Sequence, residues 1–303
     1  MALSKDEKIW KSKDDYITSK LDVLSKRIDR AQGDLLKRLV DDFIGRFDTD
    51  SAGNLKRTSK NIRLAKQLDR IFDEFDEQTI RKINTVWGED MMRLNEMSGA
   101  YYNKGLDFPA KRIKSISEKV GFIEQAIGIV DGEIVSGSYL DDISKMPEVR
   151  TELKNYVSQS VASNKGYSEY LRGMRELVTG TAQAPGAVEK YYRQYAYDTF
   201  NNVDASINLH YAENLGLTWF IYQGSIIDTS RAFCIKRANK VYNTEETEKW
   251  KCDPTLIGKP KGKKCDDSYN PLIERGRYNC RHTIRYISDL QACDRGREEA
   301  CDE

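Results

Sequence analysis

The sequence predicts a mainly α protein, with an elongated N-terminal helical region of long helices over residues 1–180 and a small C-terminal α+β, Cys-containing domain over 185–303. Three observations carry this. Apolar residues recur at three- and four-residue steps through long stretches of the chain. Charged residues make up 32% of the sequence and Pro numbers only 6, the composition of solvated helices rather than of a loop-rich fold. All six cysteines (Cys234, Cys252, Cys265, Cys280, Cys293 and Cys301) lie in the last 70 residues, where the helical periodicity stops.

The first helix is expected from residue 3 to about 47, because Leu21, Leu24, Ile28, Ala31, Leu35, Leu39 and Phe43 share one face. The stretch DTDSAGN ends it with a Gly and with side chains that compete for the backbone. DTDSAG also resembles the start of a calcium loop, but Ala52 stands at the third ligand position and Ser59 where the closing glutamate belongs, so calcium is not expected. A second helical stretch runs from about Thr58 to Lys104, with Leu64, Leu68, Phe72, Phe75, Ile80, Trp87, Met91 and Leu94 on its apolar side. At about 1.5 Å per residue such helices outrun a compact domain, hence the expected elongation.

Gly105 and Pro109 interrupt the pattern, which resumes until the turn Asp131-Gly132. Pro147 opens another helix, with Glu148 placed to suit the helix dipole. VTGTAQAPGA is a turn or linker, and the helix after it should end at Gly216. LTWFIYQ, KVY and TIRYI are the strand candidates, and TEETEKW is a short exposed helix.

Lys and Arg total 49 against 48 Asp and Glu, so the net charge of +1 offers no global attraction to nucleic acid. Any such contact must be local, and the loop GKPKGKKC is the place for it: Lys259, Lys261, Lys263 and Lys264 could bind a phosphate backbone, or simply be solvated. No run approaches the ~18 apolar residues of a membrane span. The N-terminus is charged without a signal-type apolar stretch, so folding in a cytoplasm is expected.

Cys280 and His282 are two apart and would share a face of a strand. Cys234 supplies a third donor, with Cys252 or Cys265 as a fourth, for a zinc site. No C-x-x-C knuckle is present, and buried free thiols or disulfides formed in an oxidising medium are alternatives the residues leave open. His210 reads as a hydrogen-bonded, partly buried histidine. Glu246 and Glu248 form an E-x-E without the upstream strands that mono-ADP-ribosyltransferases need, and with two histidines in the chain no nucleophile-base pair stands out, so enzymatic activity is not expected.

The string GLTWFIYQG, then IDTSRAFC, then RYNCRHTIRYI, preceded by the polar helix RQYAYDTFNNVDASIN, resembles the head-morphogenesis, or Mu F-like, minor head proteins of tailed bacteriophages over roughly residues 185–290. Order and spacing agree across several motifs, with Trp219, Tyr222, Asp228, Arg231, Asn279 and Arg281 at motif positions. The family's closing H-P-N-C-R-C segment has Arg277, Tyr278 and His282 here in place of its His, its Pro and its second Cys. Exchange of Cys for His keeps a metal ligand, and exchange of His for Arg removes one. For Asp228 and Arg231 the expectation is a helix cap and an ion pair that pin the turn.

The resemblance implies a structural virion protein in the phage head, assembled in the host cytoplasm. Its expected partners are the portal protein, the major capsid or scaffolding protein, and packaged double-stranded DNA. The other role the resemblance suggests is an effector or toxin-like enzyme ejected with the genome. No separate module follows the motif region in this sequence, which makes the structural role the expected one.

Overall fold

The computed structural model describes residues 3–121 and 127–301, apart from the Asp42 side chain, and is mainly helical, with 64% helix and 8% strand. The helix Lys5–Arg38 passes into a wider π turn, Leu39–Phe43, and a last tight turn, Ile44–Arg46, and it ends at the predicted DTDSAGN break. Its predicted stripe is buried at Leu24, Ile28, Ala31, Leu35, Leu39 and Phe43. In the break itself Asp50 Oδ1 accepts from the Ala52 and Asn54 amides, which makes it a turn-forming side chain.

The second stretch begins with Ser59–Ala65, capped by the Thr58 side chain. It restarts as Leu68–Phe75 and runs through Arg81–Ala100, with π turns at Asp76–Ile80 and Tyr101–Gly105. A π turn adds one residue to the repeat and swings the apolar stripe around the axis. Tyr101 and Tyr102, neighbours in sequence, are therefore both fully buried. After Ala110–Ser117, part of the predicted continuation falls at 122–126, outside the described residues. Asp131-Gly132 is the turn of a short hairpin, β1 (Ile129–Val130) against β2 (Glu133–Ile134), with both turn residues at positive φ. Helices Tyr139–Ser144, Pro147–Ala162, Tyr167–Thr179 and Ala187–Leu215 follow, the last ending at Gly216 with φ 75°.

All three predicted strands form one antiparallel sheet in the order β4 (Val241–Asn243), β3 (Trp219–Gln223), β5 (Thr283–Ile287). The central strand pairs Tyr222 with Ile284 and Phe220 with Tyr242 and Tyr286. Trp219 and Ile221 pack with Ile287, Ala292 and Ala300 on one face. On the other, Phe220, Tyr222, Phe233 and Tyr242 surround Trp250 with ring centroids 5.1–6.0 Å away. Trp250 lies in TEETEKW, which is a tight helix, Thr244–Cys252, closed by a capping box between Asn243 and Glu246. That helix is thus not merely exposed: it supplies the centre of the aromatic cluster.

Chain contacts divide the protein differently from the expected boundary near 180–185. One unit comprises residues 1–18, 90–124 and 196–303, and the other 19–89 and 125–195. A three-stranded sheet cannot bury its faces alone. Within the first unit Arg285 of β5 pairs with Asp6 at 2.7 Å, and the Tyr101 hydroxyl donates to the Tyr286 carbonyl at 2.6 Å. The buried Lys13 pairs with Asp204 at 2.9 Å. The sheet is covered by segments remote in sequence, which local periodicity does not reveal.

Candidate metal centre

β3 carries Tyr222 inward because alternate residues share a face and its neighbours are aromatic. The turn that follows leads into the helix Ala232–Arg237, whose second and third residues, Phe233 and Cys234, are buried. The third contribution is the loop 275–282, which enters β5. Cys280 and His282 precede the strand, which begins at Thr283, yet they converge as expected of residues two apart.

Cys234 Sγ lies 3.8 Å from Cys280 Sγ, and Cys280 Sγ lies 3.8 Å from His282 Nδ1. The Tyr222 hydroxyl is 3.4 Å from Cys280 Sγ and 3.6 Å from Cys234 Sγ. The Tyr222 ring stacks on the imidazole at 5.0 Å, and His282 Nε2 is buried without a hydrogen-bond partner. Cys234, Cys280 and His282 are each only 3% exposed. A Cβ on Gly276 would come within 2.5 Å of Cys234 Sγ and 3.0 Å of Cys280 Sγ, so only glycine fits there.

The two thiols are driven apart in acidity. The contact with Cys234 holds Cys280 well below the ordinary thiol range, against the effect of burial, with His282 and Arg275 contributing. The same contact, reinforced by burial, pushes Cys234 upward. Cys280 is thus the first thiolate of the pair. Burial, together with the two sulfurs, raises the Tyr222 phenol well above its usual value.

The loop that delivers Cys280 is held in an uncommon backbone shape. Arg275, Arg277 and Asn279 have φ of 51°, 60° and 55°, a left-handed region that costs non-glycine residues energy. Each is fixed by a distant partner. Arg275 is buried and donates to the Asn201 carbonyl at 2.7 Å and to Asn202 Oδ1 at 2.9 Å. Arg277 pairs with Asp266, and the Asn279 amide donates to Asp198 Oδ1 at 2.7 Å.

Several sequence expectations change here. Cys252 and Cys265 do not offer a fourth metal ligand, because they form a disulfide with one another, as do Cys293 and Cys301. Asp228 is exposed, and the residue at the helix cap is Arg231, without a side-chain cap. Arg231 makes no ion pair with Asp228 and instead bonds the carbonyls of Gly276 and Tyr278, tying the helix start to the Cys280 loop. Arg281 is exposed, and Trp219 and Tyr222 are buried in the sheet.

Lys259 Nζ is engaged inside its own loop, 2.8 Å from the Asp253 carbonyl and 3.1 Å from that of Lys264, while Lys261, Lys263 and Lys264 are exposed. Glu246 is taken up by its capping box and by Arg297. His210 is half-buried with Nδ1 3.4 Å from Asn214 Nδ2. Sequence reasoning did not single out Gly276 or Trp250; for Gly276 the signal was the string R-G-R directly before Y-N-C-R-H.

Two thiols, an imidazole and a phenol sharing one buried point can bind a thiophilic cation or, on oxidation, close a disulfide. No protein-family model, curated protein or solved structure matches this chain.

Proposed function

We propose that this chain is a structural and assembly protein of a tailed-phage head, a Mu F-like minor head protein docked on the portal or the inner capsid. One observation supports the reading above the others. The motif segments that carry the resemblance are far apart in sequence, yet their residues serve one centre: Tyr222 from the strand, Arg231 and Cys234 from the turn and helix, and Cys280 and His282 from the closing segment. Asp198, from the polar helix ahead of them, anchors the closing segment at Asn279. A motif whose parts build a buried scaffold, rather than line an open cleft, suits a compact adaptor.

In this reading the exposed Lys261, Lys263 and Lys264 are the residues positioned to touch packaged DNA, in a sequence-independent way. The test is affinity capture of the tagged protein from infected cells, with mass spectrometry of what comes with it and of purified particles. Portal, capsid or scaffolding subunits are the expected partners, together with the chain's presence in the particle. Recovery of none of these would remove the assembly role and put the ejected-effector role first.

A further inference from the structure

We infer that Cys234, Cys280, His282 and Tyr222 are the four donors of one zinc site at the core of the C-terminal α+β region. The inference does not depend on the phage reading.

Tetrahedral zinc with Zn–S near 2.3 Å and Zn–N or Zn–O near 2.0–2.1 Å holds its sulfurs about 3.8 Å apart, and a sulfur and an oxygen or nitrogen about 3.5 Å apart. The sulfurs here are 3.8 Å apart, the phenol oxygen is 3.4 and 3.6 Å from them, and the imidazole nitrogen is 3.8 Å from Cys280 Sγ. The cysteine and histidine ligand atoms all lie within 4.8 Å of one another. Four of the six edges of a tetrahedron around the ion thus lie at 3.4–3.8 Å, and Gly276 keeps its wall clear of a side chain.

The alternatives fit less well. A Cys234–Cys280 disulfide needs the sulfurs to close to about 2.05 Å, from a separation that instead matches the zinc edge. An iron–sulfur cluster wants four cysteines, and the remaining four are paired elsewhere. Charge also balances: binding sends the two thiol protons to solvent and leaves two thiolates against the dication, with neutral imidazole and the phenol oxygen as the other donors.

Tyr222 is the new element, because the sequence places it only as a packed strand residue. Its position in β3, the central strand of the sheet, paired with Ile284, fixes the oxygen over the sulfurs without a flexible loop.

The test uses the full chain, purified without chelator and assayed for zinc, then exchanged with cobalt(II). Zinc near one equivalent per chain and a thiolate-to-cobalt charge-transfer band with intense tetrahedral d–d bands are expected. Cys280→Ser should abolish both. To separate loss of metal from loss of fold, Tyr222→Phe, which keeps the packed ring, is the second probe: affinity measured by chelator competition should fall by about 10–100-fold or more and the d–d bands should shift. Metal-free protein with a third disulfide, or two free thiols that give no charge-transfer band with cobalt, would overturn the site. Zinc bound as tightly, with an unchanged cobalt spectrum, in Tyr222→Phe would overturn the fourth donor.

Discussion

The Arg231 guanidinium donates to the carbonyl of Gly276 at 2.8 Å and also to that of Tyr278, so a single side chain joins the start of the Cys234 helix to the loop that carries Cys280. Charge-assisted bonds of this kind each contribute about 1.5–3 kcal/mol. Arg231→Ala should therefore lower unfolding stability by about 2 kcal/mol or more, and Arg231→Lys, which cannot serve two carbonyls with one fork, by somewhat less. Urea unfolding followed by tryptophan fluorescence reads this directly. Equal midpoints for all three proteins would mean that the loop holds itself.

Gly276→Ala tests the space around the sulfurs without removing a donor. Its methyl would have to displace both Cys234 Sγ and Cys280 Sγ. Overpacking of a filled interior costs about 1–3 kcal/mol, and metal uptake should weaken with it. Unchanged stability and metal content would show that the site is roomier than the contacts describe.

Acid should destabilise the unit that contains the sheet. Burial works to raise the Asp6 carboxyl, but Ser4 and Arg285 outweigh it and hold the group below 3.8. Asp253 is likewise held down against burial by Thr255 and Arg237, and Asp266 is lowered to about 2 by Ser268 and then Arg277. A depressed folded value stabilises fully above the unfolded value and is lost as pH falls through the folded one. Unfolding free energy should stay level on this account above pH of about 4 and drop below it. Asp6→Asn should remove its share of that drop and, by leaving the buried Arg285 with only the longer contact to Glu7 at 3.6 Å, cost up to about 3–5 kcal/mol at neutral pH.

Asp14 has the opposite sign. Burial raises its carboxyl to about 7, against the pull of Lys13, and its Oδ1 is buried without a hydrogen-bond partner. A raised folded value means the folded state keeps a proton that the unfolded chain gives up, so its contribution declines as pH rises from about 4 to about 7 and then levels. Asp14→Asn should flatten the stability profile in that window and make the protein more stable than the parent at pH of about 8. A variant with the parent's slope would show that Asp14 ionises normally.

The lysine loop separates into two roles. Lys259 bonds its own loop, which the Cys252–Cys265 disulfide closes. Lys259→Ala should thus cost stability and leave DNA affinity nearly intact. The triple change Lys261, Lys263 and Lys264 to Ala should leave stability intact and reduce the salt slope of DNA binding by about 3. Filter binding across a salt series distinguishes the two, and an unaltered slope in the triple variant would take DNA contact away from this loop.

Much of the fold was legible because it is written in local periodicity. The stripe from Leu24 to Phe43, the strand LTWFIYQ and the Gly216 stop each depend on neighbours a few residues away. Cys280 and His282 were legible as a pair from their spacing, although they meet in the loop before β5 rather than on the strand, and Cys234 was legible through its place after the turn. What escaped depends on distant partners. Arg275, Arg277 and Asn279 have left-handed backbone and are tied down by Asn201, Asp266 and Asp198. The pairing of Cys252 with Cys265, the burial of Trp250 and the cover of β5 by Asp6 and Tyr101 are likewise long-range. Tyr222 was visible as a strand residue, but nothing in its spacing tells that its hydroxyl reaches two sulfurs.

The central claim is that the C-terminal cysteines divide into two structural disulfides and one metal-binding pair. Native mass spectrometry of the intact, freshly purified chain reads this division in one measurement. The expected mass is lower by four hydrogens for the Cys252–Cys265 and Cys293–Cys301 bonds, with one zinc added in place of two further protons. A metal-free chain lighter by six hydrogens, with Cys234 bonded to Cys280, would contradict it.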